Sequence, residues 1–396
     1  MNKPTRAAGA FEVFAAFLKL GLTSFGGPIA HLGYFQRELV ERRRWVDMAQ
    51  FAQLIALCQF LPGPASSQLG VSLGMIRAGW PGAIAAFVAF TLPSAMLLVV
   101  FAALLPELDQ PLGTAAIQGL KLLAVVVVAQ GLVSMASTLA PDTPRRLIAV
   151  AIAAVMIVSA SAFMQLLVVV IGAGLGLLLC RGVTLSQGIT FDLPYGRKTG
   201  ALLLAVFMVL LLFSFMSFDS SARSSVAAAF YRAGALVFGG GHVVLPLLEE
   251  AVVAPGWVAP HDFIAGYGAA QAVPGPMFSL AAFVGARLEG GSGGLAGAGI
   301  GLASIFLPGL LLVWGALPFW RVITQYRVAA SALAGVNAAV VGLLAAALYD
   351  PVWISAVRSG ADLAIAMVGI VLITLRFPVL VVLAWCVLAS VARSYG

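Results

Sequence analysis

Long apolar runs separated by short polar punctuation fill this chain, and 83–105, 115–140, 147–180, 201–218 and 295–317 all stand out. Each meets the roughly 20 residues that a membrane-crossing helix needs. Two further apolar stretches, 11–40 and 47–76, are broken midway, at Phe25-Gly26-Gly27-Pro28 and at Pro62-Gly63-Pro64. About 14 residues lie on either side of each break, or roughly 21 Å of helix, against a hydrocarbon core of about 30 Å. The pattern predicts re-entrant helical hairpins; kinked spans in pairs would leave the same loops on the same sides.

The pattern then repeats. Phe17, Lys19, Gly21, Phe25, Gly26 and Gly27 match Phe230, Arg232, Gly234, Phe238, Gly239 and Gly240 at a constant offset of 213. Trp45, Phe51, Gln59, Pro62, Gly63 and Pro64 match Trp257, Phe263, Gln271, Pro274, Gly275 and Pro276 at 212. Gly119 and Lys121 pair more weakly with Gly335 and Asn337. The expected organisation is a first repeat at 1–181, a linker with one connecting helix at 182–222, and a second repeat at 223–396.

Composition fits a membrane protein: 62% hydrophobic, 9% charged, mean hydropathy +1.06, against about 25% charged residues in soluble domains. Cys58, Cys180 and Cys386 stand singly, which indicates neither a disulfide framework nor a metal site, and no cofactor is expected. The net charge of +7 resides in short loops, so it speaks of orientation rather than nucleic acid. Lys3 and Arg6 precede the first apolar stretch without a convincing cleavage site, so a removed signal peptide is not expected.

Basic residues also set the relative orientation of the halves. The loop after the first glycine break carries Arg37, Arg42, Arg43 and Arg44, whereas its counterpart carries Glu249, Glu250 and Asp262 and no Lys or Arg. An odd number of crossings between the halves accounts for this, and the helix at 201–218 supplies the odd one. The expected fold class is therefore an all-α polytopic membrane protein of two inverted-topology repeats, each opening with two Gly/Pro-broken hairpins, with a cytoplasmic N-terminus.

Broken helices at matching places in inverted halves point to a transport site near the membrane midplane. New half-helices would begin after each break, and their free amides and positive dipole ends bind tetrahedral oxyanions. Gly26, Gly27, Pro62, Gly63, Pro64 and their mates Gly239, Gly240, Pro274, Gly275, Pro276 would shape that backbone. Ser66, Ser67 and Ser279 could donate to the same oxygens, and Gln59 and Gln271 could either do so or cap freed carbonyls. Lys19 and Arg232 place one cation in each half, for the anion or as snorkelling anchors. Lys121 is a third buried cation, with neutral Asn337 as its mate. His31 and His242 follow the glycine breaks, displaced by two positions, for proton coupling or plain hydrogen bonding. Glu38 and Asp47 are expected to pair with the arginines of the loop, Glu38 also being a coupling candidate. Gly172, Gly174 and Gly176 read as packing glycines inside a membrane helix.

Phe17 to Pro28, Arg37-Glu38, Arg44-Trp45 and Gln59 to Pro64 resemble the chromate ion transporter (CHR) family, and the second half repeats the pattern as in its long, two-domain form. The resemblance implies export of chromate, with sulfate as its look-alike, across a bacterial inner membrane. The second copy departs from the first, with Gly241 in place of Pro28 and without the arginine cluster. Export of a dianion from an inside-negative cell gains about 2 × 2.3 kcal/mol per 100 mV without a coupling ion. Uptake of sulfate or another oxyanion, and a channel or scramblase-like groove, are the competing functions. No set of nucleophile, base and metal ligand recurs beside the breaks, so an enzyme is not expected. A homodimer is left open.

Overall fold

A computed structural model describes residues 6–25, 27–108, 111–158, 162–180, 191–216, 223–238, 244–288, 293–323 and 325–394. Regular structure among them is entirely helical. The first half comprises α1 (Arg6–Thr23), α2 (Gly27–Phe35), α3 (Met48–Phe60), α4 (Ala65–Leu104), α5 (Pro111–Leu139), α6 (Thr143–Val158) and α7 (Ala162–Leu179). The connecting helix is α8 (Arg197–Ser214). The second half comprises α9 (Arg223–Ala235), α10 (Val244–Val252), α11 (Pro260–Ala272), α12 (Leu280–Ala286), α13 (Gly294–Ala316), the short α14 (Trp320–Ile323), α15 (Arg327–Ala347), the single turn α16 (Ile354–Ala356), α17 (Gly360–Thr374) and α18 (Val379–Ser394).

Both halves open with short arms. The nine residues of α2 and of α10 reach about 13 Å, and the thirteen of α3 and of α11 about 20 Å, so none crosses a core of about 30 Å alone. The forty residues of α4 are not one rod, because Ala78 and Gly79 leave helical geometry, Gly79 with φ 67°. Across this turn the two arms close until a Cβ on Gly74 would stand 2.5 Å from the Gly82 carbonyl oxygen. The second half separates the same pair into α12 and α13, where a Cβ on Gly285 would run into the Gly297 carbonyl oxygen. The first arm of α4 therefore returns from the break, and the second is a crossing. The apolar run 147–180 likewise divides into two helices, α6 and α7.

The halves interlock by exchanging helices. α5 packs on α17 and α18, and its counterpart α15 packs on α6 and α7. Glycine makes both approaches close: Gly119 lies on the backbone of Cys386 and Val387, and Gly335 on that of Gly172 and Gly176. Gly172 and Gly176 are thus packing glycines as the sequence suggested, whereas Gly174 faces open space. At the same register α1 packs on α4 and α9 on α13, with Gly21 against the Ala89 and Phe90 carbonyls and Gly234 against that of Ile305. These paired contacts relate the two repeats by a pseudo-two-fold.

Candidate functional site

At the first break, Asp47 starts α3 by accepting from the Gln50 backbone while the Gln50 side chain accepts from the Asp47 backbone. This corrects the expectation that Asp47 pairs with the loop arginines, since a reciprocal cap at a helix start satisfies two otherwise unpartnered amides. α3 ends where Leu61 turns extended and Pro62 offers no amide. Gly63 then takes φ 121° and Gly275, its mate, φ 105°, a region closed to other residues without strain. α4 begins directly at Ala65, whereas in the second half a 3-10 turn, Met277–Ser279, intervenes before α12.

Each break is tied to the other half. The Gly63 amide donates to the Val237 carbonyl at 2.6 Å, and the Gly275 amide donates to the Ser24 carbonyl at 3.0 Å. Ser24 and Val237 are equivalent positions, the residues just before the Phe-Gly-Gly breaks of α1 and α9. Beneath them Gly63 rests on Gly309 of α13, and Gly275 on Ser94 of α4. Ser94 and Gly309 follow the equivalent prolines Pro93 and Pro308. The non-helical backbone of each half is therefore satisfied at the interface of the two, as irregular backbone at membrane depth must be.

The side chains around these two pairings differ. At Gly63, Gln68 Nε2 donates to the Pro62 carbonyl at 2.9 Å and to the Gly309 carbonyl at 3.0 Å, clasping break and partner helix together. Gln68 was not legible as a site residue; its place one helical turn beyond Pro64, in the helix that follows the break, is the signal that could have revealed it. At Gly275, Ser94 Oγ lies 2.7 Å from Ser279 Oγ and donates to the Thr91 carbonyl at 2.9 Å. His31, fully buried, donates from Nε2 to the Ser24 carbonyl at 3.2 Å and sets its ring edge-on to Phe90 at 5.3 Å. Ser24 Oγ, His31 Nδ1 and Thr91 Oγ1 are buried without a hydrogen-bond partner.

The other predicted site residues fall as follows. Ser66 and Ser67 are buried in the first turn of α4, Ser67 Oγ without a partner. Gln59 is exposed, and Gln271 Nε2 meets Met277 Sδ at 2.7 Å, so carbonyl rescue belongs to Gln68 instead. Lys19 Nζ pairs with Glu38 at 2.9 Å, and Glu38 also accepts from Arg42 and Arg43 at 3.1 and 2.8 Å. Glu12 joins Arg77, Arg43 and Trp45 in the same network. Burial works against charge on Glu38, but donation from Arg43, Lys19 and Arg42 outweighs it and holds the pKa down at about 2. Arg232 donates to the Ser214 carbonyl at 2.7 Å and lies 5.6 Å from the Phe215 ring. Lys121 is buried on α5 within electrostatic reach of Arg358 and Asp262, and Asn337 Oδ1 is buried and unpartnered on α15. The structure brings His31, Gly275 and Ser279 together but not Lys19 or Arg232 with them. Gly26, Gly239, Gly240 and His242 lie outside the described residues.

Cross-docked broken hairpins in two interlocked helical repeats define the architecture of an inverted-repeat membrane transporter. The chain belongs to the chromate transporter family, whose model matches residues 11–178 and again residues 224–391. It is similar to a chromate transport protein of Pseudomonas aeruginosa, 27% identical over 88% of this chain and 82% of that protein. A chromate transport protein of Cupriavidus metallidurans is 27% identical over 95% and 93%, and a probable chromate transport protein of Synechococcus elongatus 28% over 84% and 82%. No solved structure matches the chain.

Proposed function

We propose that this chain is a secondary transporter that exports chromate, or an oxyanion of the same shape and charge, across a bacterial inner membrane. The anion passes where the repeats exchange their broken hairpins, driven by the membrane potential. The reciprocal bonds from Gly63 to Val237 and from Gly275 to Ser24 carry this reading. They gather the irregular backbone of both halves at one interface, the place where inverted-repeat transporters bind their substrates. The relatives named for chromate transport supply the substrate class. The arginine-rich loop supports a cytoplasmic N-terminus, and outward movement of a dianion then runs down the potential by about 4.6 kcal/mol per 100 mV.

The test is flux of radiolabelled chromate and sulfate in proteoliposomes under an imposed potential, with and without a pH gradient. Saturable chromate movement toward the positive side, competed by sulfate, is expected. Movement toward the negative side that requires a cation gradient would make the protein an uptake system. Unsaturable flux indifferent to the anion would make it a channel or groove.

A further inference from the structure

We propose that Ser24, His31 and Thr91 form a tetrahedral-oxyanion subsite at the docking point of the second break, a refinement that rests on the transport function above. Their relative exposures are 0%, 0% and 2%, and each ends in a polar atom without a partner. Most buried polar groups in folded proteins are paired, and each one left unmatched costs stability. Three such groups, on residues joined by one chain of contacts, point to something else as their partner.

The cluster is knit by contacts already described. His31 Nε2 and the Gly275 amide share the Ser24 carbonyl, the His31 ring lies against Phe90, and Ser94 holds Thr91 by its carbonyl on one side and Ser279 on the other. Thr91 is the telling member, because a threonine inside a helix ordinarily returns its hydroxyl to the preceding turn. Here that hydroxyl stays unbonded.

The chemistry selects an anion with several oxygens. Ser24 and Thr91 each have a hydroxyl proton to give. With Nε2 donating to a carbonyl, neutral His31 presents Nδ1 as an acceptor, which takes the proton of a monoprotonated oxyanion. The pseudo-symmetric positions argue against a mere packing accident. Val237 stands where Ser24 does, Phe306 where Thr91 does, and Gly309 where Ser94 does. Around Gly63 the Gln68 nitrogen is consumed by two carbonyls, its unpartnered Oε1 can only accept, and Ser67 adds one hydroxyl. The donors gather on the side of the second break.

The test compares wild type with Thr91→Val and Ser24→Ala in proteoliposomes, reading the KM for radiolabelled chromate together with the thermal midpoint of the purified proteins. Both substitutions remove an unpaired hydroxyl and leave the backbone alone, so a merely unfilled group would leave KM unchanged and the midpoint equal or higher. The subsite predicts at least a tenfold rise in KM for each, with the midpoint undiminished. Wild-type KM in both variants overturns the subsite while leaving the transport function standing. Absence of saturable oxyanion flux in the wild type overturns the transport function itself.

Discussion

The two proline-glycine breaks share a backbone and differ in their surroundings. Gly63 and Gly275 adopt the same left-handed conformation and donate to equivalent carbonyls across the pseudo-two-fold. Around Gly63 the Gln68 nitrogen is taken up by the Pro62 and Gly309 carbonyls, and the Ser67 hydroxyl and Gln68 Oε1 stay unpartnered. Around Gly275 the contacts leave Ser24, His31 and Thr91 with polar atoms to offer. The shared part is what an inverted pair needs to interlock. The unshared part is where binding chemistry can be added without disturbing the lock, so duplication supplies the frame and divergence of one copy supplies the site.

The largest effect follows from what the copies share. Alanine at Gly63 or Gly275 would be strained at its φ and would press a Cβ to 2.9 Å from the Gly309 Cα or 2.8 Å from Ser94 Oγ. Strain and overpacking together cost about 3 kcal/mol or more. Thermal unfolding in detergent should show a comparable loss in both variants. A loss confined to one copy would break the symmetry argument.

The loops give the next contrast, because the charged network around Glu38 has an acidic rather than a basic counterpart in the second half. Glu38→Gln removes the negative charge and one of the two acceptor oxygens that serve three charged donors, a loss of about 2 kcal/mol. With a folded pKa of about 2 against an ordinary value of 4.5, its stabilisation is complete above about pH 4.5 and is lost as pH falls toward 2. Wild type should lose stability through that window more steeply than the variant, as read by thermal midpoints across pH. Parallel curves would show that Glu38 is not the hub. Gln68→Leu frees the Pro62 and Gly309 carbonyls, for about 1 to 2 kcal/mol at the first break. The midpoint should drop while the KM for chromate holds, and a raised KM would move binding chemistry to the Gly63 side.

Much of this was legible along the chain. The repeat, the broken arms and the packing glycines could all be read because each depends on backbone geometry, which glycine and proline announce at fixed positions. The turn of α4 at Gly79 was legible as well, since the stretch 47–76 ends just before it and the run 83–105 begins just after it. Thr91, Ser94 and Ser24 were not legible: a hydroxyl inside an apolar run looks the same whether it bonds its own helix or is left unbonded. Gln271 is the opposite case, a residue at the matching spacing whose amide the fold sets against a neighbouring sulfur.

The smallest effect discriminates most finely. Lys19 and Arg232 are equivalent cations, and the sequence allowed each to serve the anion or to anchor its helix. The structure gives both local partners: Glu38 for Lys19, whose side chain is 52% exposed, and the C-terminal carbonyl of α8 with Phe215 for Arg232. A half-exposed ion pair contributes about 0 to 1 kcal/mol. Lys19→Met and Arg232→Met should therefore keep their chromate KM within about twofold of wild type, since each loses an anchor rather than a substrate contact. If neutralising either cation raises KM as far as Thr91→Val does, that charge reaches the anion during transport, and the site extends from the second break toward the loop end of α1 or α9.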